Sequence, residues 1–316
     1  MEAQVVVAVT VSIIGATTPI LLAATGELVV EKSGVLNLGI EGMMLMGAVG
    51  GVGATMIVTR WGLAPEQAAF IGLLAAAAMG ALVSLIFAFL TLTLLANQVA
   101  CGLALTIFGT GLSAVVGTPF VGRPVGHLPD LNIPGLSDLP LVGNLLFSHD
   151  PLVYFSFIMV AAVAWFFYRT KAGLALRAIG ESHDSAHAIG YRVIAVRYAA
   201  VAFGGAMAGL GGAYLSLVST PFWAEGMTAG RGWIALALIV FAAWRPLRLL
   251  FGAYLFGLFW VGQLVVQALG WPISSQLLSA SPYLITIIVL VLMSWDAAKF
   301  RLNAPACIGK AFHPAA

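Results

Sequence analysis

Charge is scarce in this sequence: Asp, Glu, Lys and Arg together make up 8% of its 316 residues, while 61% are hydrophobic. A soluble domain carries about 25% charged residues and needs them to solvate its surface. That shortage, with a mean hydropathy of +1.04, excludes a soluble globular protein and leaves a polytopic membrane protein. Cysteine is equally sparse. Cys101 sits in an apolar run and Cys307 in the C-terminal tail, so neither a disulfide framework nor a cysteine-based metal site is suggested. A phosphate-binding loop is missing too. Its nearest approach, Gly309-Lys310-Ala311, lacks both the leading glycine and the Ser or Thr that would hold magnesium. The chain is therefore not expected to hydrolyse ATP itself or to carry a cofactor. Low-complexity segments and long linkers are absent, which implies one membrane domain spanning 1–316.

What the sequence has is apolar length. A spanning helix needs about 20 apolar residues, and candidates fall near 5–24, 42–59, 68–92, 98–118, 151–168, 198–219, 233–244, 249–269 and 281–295. The start, MEAQVVVAVTV, has no cationic opening and reads as a retained first helix. The short run WIALALIVFAAW at 233–244 and the weakly apolar stretch 27–40 are expected to be partial or broken helices, tolerated only where protein or a wet cavity covers the freed backbone. The fold class is an all-α helical bundle of eight to ten crossings.

Orientation follows the cations. Arg169, Lys171, Arg177, Arg192 and Arg197 share one connection; Arg245 and Arg248 share another two crossings later; Lys299, Arg301 and Lys310 lie in the tail. These ten of the fourteen cations fall on one face, the cytoplasmic one. The opposite face receives the 119–150 loop, rich in Pro and Gly. The side of the N-terminus depends on whether 27–40 crosses. Helix-spaced small residues, Gly47 with Gly51, Gly205 with Gly209 and Ala208 with Gly212, have the period that lets helices approach closely in lipid.

The connection 169–197 is the most polar part of the chain. Burying its five cations in hydrocarbon would cost roughly 15 kcal/mol, at about 3 kcal/mol each, so it lies outside the membrane. Between Gly180 and Gly190 the run ESHDSAHAI has no breaker and predicts a short helix parallel to the bilayer, with Glu181 and Asp184 near its positive end. Its His183-Asp184-Ser185-Ala186-His187 puts two imidazoles at i and i+4, as in the HExxH of zinc proteases. Against that reading, Asp is one methylene shorter than the required Glu and no third ligand is evident.

Polar groups inside apolar sequence are the other candidates. GVLNLGIEGMMLMGA, residues 34–48, sets Asn37 and Glu41 four apart, on one helical face. An intramembrane carboxylate is a functional candidate by default, while the glycines around it equally allow a helix-capping role. A related stretch, EGMTAGRGWIALALIVFA, puts Glu225 and Arg231 before a short helix. Two interrupted segments in the two halves are what internally repeated transporters have around their path. Asn97 and Gln98 precede the 98–118 helix and are further path candidates.

GELVVEKSGVLNLGIEGMMLMGA, LRAIGESHDSAHAIGYRV with AFGGAMAGLGGAYLSL, and GMTAGRGWIALALIVFAAWRPL with LFGAYLFG together resemble the permease subunits of bacterial ABC importers in the branched-chain amino acid and simple-sugar permease family. SGVLNLGIEGMMLMGA and GRGWIALA are most similar to its nucleoside branch, whose lipoprotein receptors are of the basic membrane protein class. The resemblance covers nearly the whole chain. It implies that Arg177 through Gly190 is a coupling helix seated in a cleft of an ATP-binding subunit, with Arg177, Ala178, Gly180, Glu181, Ala186 and Gly190 matching the motif. His183 departs from it, standing where the family usually has Asn followed by Pro. The resemblance further implies a multi-pass protein of the bacterial inner membrane, working by alternating access. The implied partners are a fused double ATPase that binds the ATP and magnesium, a second, unlike permease, and a periplasmic or lipoprotein receptor. Membrane lipid surrounds it, and no nucleic-acid partner is expected. The cargo would be nucleosides, with simple sugars or other small polar solutes as the alternative. Outside the family stand two rivals, a secondary transporter using Glu41 or Glu225 as a proton site, and the metalloprotease.

Overall fold

The computed structural model describes residues 2–132, 135, 137, 143, 145, 147–294 and 303–313. Hydrocarbon offers the backbone no hydrogen-bond partners, so the apolar runs close their bonds within helices. These are α1 (Glu2–Lys32), α2 (Ile40–Arg60), α3 (Pro65–Ala88), α4 (Gln98–Gly117), α5 (Pro151–Arg169), α6 (Lys171–Glu181), α7 (His183–Ala188), α8 (Val193–Tyr214), α9 (Arg231–Phe241), α10 (Pro246–Ala268) and α11 (Ser275–Ser294). Proline opens α3, α5 and α10, where its fixed φ suits the first turn and its missing N–H costs nothing. α3 and α8 each end in a π-helical turn, Phe89–Thr93 and Leu215–Ser219. Among the described residues seven helices are long and apolar enough to cross a membrane: α1, α2, α3, α4, α5, α8 and α10. α9, with 11 residues, is the short helix expected at 233–244.

The stretch 27–40 is not a partial helix. Its first half continues α1 without interruption to Lys32, and the break is confined to a turn at 33–39 before α2. α1 therefore carries the chain from the end that holds the 119–150 loop to the end that holds the polar connection. At that second end Lys32 donates to the Asn303 carbonyl (2.6 Å), and Arg245 to the Asn303 side chain (3.4 Å), which gathers α1, α10 and the tail. Lys299 and Arg301 lie outside the described residues.

α8 is the centre of the bundle, with α1, α2 and α3 packed against it. Its small residues make this possible. A Cβ on Gly209 would run into the Ala76 carbonyl of α3, and one on Gly212 into the Met44 carbonyl of α2; backbone is in van der Waals contact with backbone, the arrangement small-residue spacing permits in lipid. At the far end the loop is pinned by a two-residue antiparallel pairing, Leu131 with His149 and Asn132 with Ser148. Bridges from Val121 to Trp223 and from Pro124 to Phe222 tie it to the segment entering α9.

Candidate functional site

The segment before α9 turns through three left-handed residues, Gly226, Ala229 and Gly230, and delivers a helix start with no side-chain cap of its own. Glu41, from the first turn of α2, supplies the cap. Its Oε1 accepts from the Thr228 hydroxyl (2.5 Å) and the Gly230 amide (2.8 Å), and its Oε2 accepts from the Gly232 amide (2.6 Å). The first amides of a helix have no internal partner, and a negative charge is favoured there by the helix dipole. Gly232 is what lets the two helices meet: a Cβ would lie 2.6–2.7 Å from Glu41 backbone and carboxylate atoms. Of the two roles open to Glu41, the geometry is that of a cap, buried to 7% exposure.

Asn37 does not share a helical face with Glu41, because it lies in the 33–39 turn and α2 begins only at Ile40. Its side-chain oxygen accepts from the Gly39 amide (2.9 Å), and its own amide groups donate to Glu27 (both 3.3 Å). Gln98 accepts from the Leu36 amide (2.8 Å), so it braces the same turn. Asn97 caps α4 through the Ala100 amide (3.0 Å). Two further acids, unremarked in the sequence reading, belong to this assembly. Glu27 holds Asn37, and Glu31 accepts from the Trp244 indole (2.6 Å) just after α9. Their signal was two carboxylates four apart within TGELVVEK, masked by reading 27–40 as a separate broken helix.

Arg231 occupies the first position of α9. Its Nη1 donates to the Met227 and Thr228 carbonyls (both 3.1 Å), and its guanidinium lies 5.2 Å over the Trp260 ring. It lines a cavity of about 680 Å³ between α1, α10 and the end of α8, together with Asp130, His149, Asp150 and Tyr214. Asp150 caps α5 through the Leu152 and Val153 amides (2.9 and 3.2 Å). Burial pushes its carboxyl above the usual range, against the pull of those amides and of Tyr214. Glu225 is exposed and joins neither group.

At the opposite end the polar connection forms two helices rather than one. α6 starts on a Thr170 cap and runs to Glu181; Ser182 then leaves helical geometry and caps α7 through the Ser185 amide (3.3 Å). Glu181 thus closes α6 instead of opening the short helix, and Asp184 alone stands in the first turn of α7. α7 ends in a Schellman arrangement: Gly190, at φ 94°, donates to the His187 carbonyl (2.9 Å) and Tyr191 to that of Ala186 (3.0 Å). Gly180 abuts α1, where a Cβ would strike the Lys32 carbonyl. Ala178 is half-buried and Ala186 buried. The Arg177 guanidinium rests 5.5 Å from the Tyr168 ring. What faces outward is Glu181, Asp184, His187 and Ile189, the last 74% exposed.

Both histidines are engaged by other side chains. His183 Nδ1 accepts from Arg197 (3.2 Å), and both rings pack edgewise on Phe312 at 5.2 and 5.3 Å. Burial and the Arg197 charge hold the His183 imidazole below its ordinary range. Among the described residues no three His, Cys, Asp or Glu side chains are grouped to hold a metal.

A family model described as branched-chain amino acid transport system / permease component matches residues 9–294. Among curated relatives, a putative glucose ABC transporter permease of Haloferax volcanii is 38% identical over 94% of this chain and 95% of its own. A guanosine ABC transporter permease of Bacillus subtilis is 33% identical over 86% of this chain and 87% of its own. A nucleoside ABC transporter permease of Lactococcus lactis is 31% identical over 87% of this chain and 89% of its own. No solved structure matches.

Proposed function

The chain belongs to the branched-chain amino acid transport system permease family, and from that premise we propose that it imports nucleosides or related small polar solutes across the cytoplasmic membrane, driven by ATP bound and hydrolysed in a partner. As an ABC transporter permease it is a multi-pass, non-enzymatic membrane subunit of an assembly with ATP-binding and solute-binding components. ATP and magnesium sit in the partner, a fused double ATPase. A second, unlike permease completes the membrane unit, and a lipoprotein receptor delivers cargo to the face carrying the 119–150 loop.

One observation carries the coupling assignment. The α6–α7 tip projects an outward face of Glu181, Asp184, His187 and Ile189 while its inner face, at Gly180, is locked against the end of α1. A helix that is exposed on one side and jammed against the bundle on the other passes a push inward. ATP-driven closure of the partner moves this tip and switches the access of the path; cargo biases the switch only by its different affinity for the two states. The cavity at Arg231 is the entry for solute on the opposite end. Trp260 and Tyr214 offer aromatic faces and Asp130, His149 and Asp150 offer hydrogen bonds, a chemistry suited to a heterocycle bearing a polyol. The glucose permease relative supports simple sugar as the second cargo.

Two observations weigh against a proton-coupled carrier. Glu41 is fully engaged by three donors, and Glu225 is exposed. The test is uptake of labelled guanosine, other nucleosides and glucose into vesicles holding the permease, its sister, the ATPase and the receptor. Vanadate-sensitive uptake, with Glu181→Lys abolishing receptor-stimulated hydrolysis while assembly persists, is the expected result. Uptake that ignores vanadate and collapses with a protonophore would overturn it.

A further inference from the structure

Residues 303–313 do not trail from the bundle. The Cys307 amide donates to the Gly180 carbonyl (2.9 Å) and its thiol to the Glu181 carbonyl (3.3 Å). The Gly309 amide donates to the Gly34 carbonyl (3.2 Å). The Phe312 side chain, 5% exposed, fills a small cluster with Ile179 of α6, Ala186 of α7 and Val193 of α8, its ring held between His183 and His187.

Arg197 of α8 is the hub of this contact, at 1% exposure. Its guanidinium donates to the Ser33 carbonyl (3.1 Å), the Lys310 carbonyl (3.4 Å) and His183 Nδ1 (3.2 Å). A buried cation needs such acceptors, and here they come from three separate places: the α1–α2 turn, the tail and α7. The tail therefore bonds on one side to the tip and on the other to Gly34, at the head of the turn that leads through Asn37 to Glu41 and the start of α9.

We propose that the C-terminal tail is the transmission link of the permease, with Phe312 and Cys307 as positioning residues that make the α6–α7 tip and the α1–α2 turn move as one body. Without it, the tip joins that turn chiefly through the approach of Gly180 to Gly34 and through Arg197. A displacement of α7 then tilts the tip about Ser182 rather than shifting the turn and the Glu41-capped helix. With it, tip and turn are both bonded to one short backbone segment, the tip through the Cys307 amide and the turn through the Gly309 amide. This inference rests on the proposed ATP-driven function for its transport consequence, but the link itself is a property of the chain alone.

The link is tested first without any partner. In Cys101→Ser protein in membranes, Cys307 is expected to react with a polar maleimide at least tenfold more slowly than in Phe312→Ala protein, with Phe312→Leu falling near the slow limit. Labelling of the Cys101→Ser protein as fast as after denaturation in detergent would overturn the proposal. In the full reconstituted complex, Phe312→Ala is expected to retain the ATPase on purification and its basal hydrolysis, while solute moved per ATP falls at least tenfold and is recovered by Phe312→Leu. Unchanged transport per ATP overturns the link. Loss of the ATPase from the complex also overturns it, since the tail would then be part of the docking surface. If the unaltered complex transports without ATP, the proposed function fails, whereas the labelling rates still decide the link.

Discussion

Removing the carboxylate of Glu41 should unravel the start of α9, and the size of the effect can be worked from its three bonds. Glu41→Ala leaves the half-buried Gly230 amide and the buried Gly232 amide without acceptors. An orphaned buried donor costs about 1–3 kcal/mol. Loss of the negative charge from the helix start adds on the order of 1 kcal/mol. For two donors and the charge the total is about 3–7 kcal/mol, more than a short helix of 11 residues recovers by local adjustment, because its later turns remain packed and cannot follow. Every 1.4 kcal/mol is tenfold, so amide exchange at Gly230 and Gly232 should accelerate at least about a hundredfold, while amides late in α9 change little. Glu41→Gln keeps one acceptor oxygen but turns an NH2 toward a donor, and should fall between the two. Hydrogen exchange on purified protein, read by mass spectrometry over 226–236, is the direct assay; uptake should fall in the same order. Slow exchange preserved in Glu41→Ala would refute the reasoning, since the amides would then have another acceptor.

Gly180→Ala forces a methyl group onto the Lys32 carbonyl; overpacking of that kind costs about 1–3 kcal/mol, and uptake should drop while the protein still inserts, as judged by its yield in washed membranes. Burial and Arg197 hold the His183 imidazole below its ordinary value of 6.5, so the stability tied to its neutral form is complete above 6.5 and lost as pH falls beneath it. Asp184 opposes that shift, while Lys310 and His313 reinforce it. Because the thiolate is the reacting form, the observable is the Cys307 labelling rate relative to that of the unfolded protein at the same pH. This ratio should rise as pH falls below 6.5, and His183→Asn, which keeps an acceptor for Arg197 but cannot titrate there, should flatten the rise. Arg231→Gln should raise the solute concentration for half-maximal uptake with little change in assembly, measured on reconstituted vesicles; an unchanged concentration dependence would remove the cavity from the path.

The legible part of the fold was whatever depends on local period. Run lengths located the crossings, the cation clusters sorted the two ends, and the small-residue spacing of α8 announced close packing. Gly190 as a helix stop was equally local, since its left-handed φ is a demand that glycine meets at no steric cost. What could not be read were pairings across long stretches of chain. Glu41 meets Gly232 across 191 positions, and Glu31 meets Trp244 across 213. Period counting put Asn37 and Glu41 on one face because it could not see that the turn at 33–39 resets the helix. Phe312 carried no signal at all: a lone aromatic in a tail becomes meaningful only when Ile179, Ala186 and Val193 are brought around it.

The buried acids share one logic, which bears on how such chains should be read. Glu27, Glu31 and Glu41 are all buried, and each accepts from donors freed or placed by a break in helical structure: the Asn37 amides in the 33–39 turn, the Trp244 indole after α9, the amides before it. An irregular backbone at membrane depth exposes N–H groups that lipid cannot satisfy, and a carboxylate is the acceptor that can take several at once. An acid in an apolar helix is read by default as part of a transport path. In this chain the acids hold the breaks in shape through discrete hydrogen bonds. Capping accounts for the burial of these three carboxylates without any solute, so an acid in an apolar helix is not by itself a sign of the path; on the proposed function, the cavity lined by Arg231 is the first place to test for solute contact.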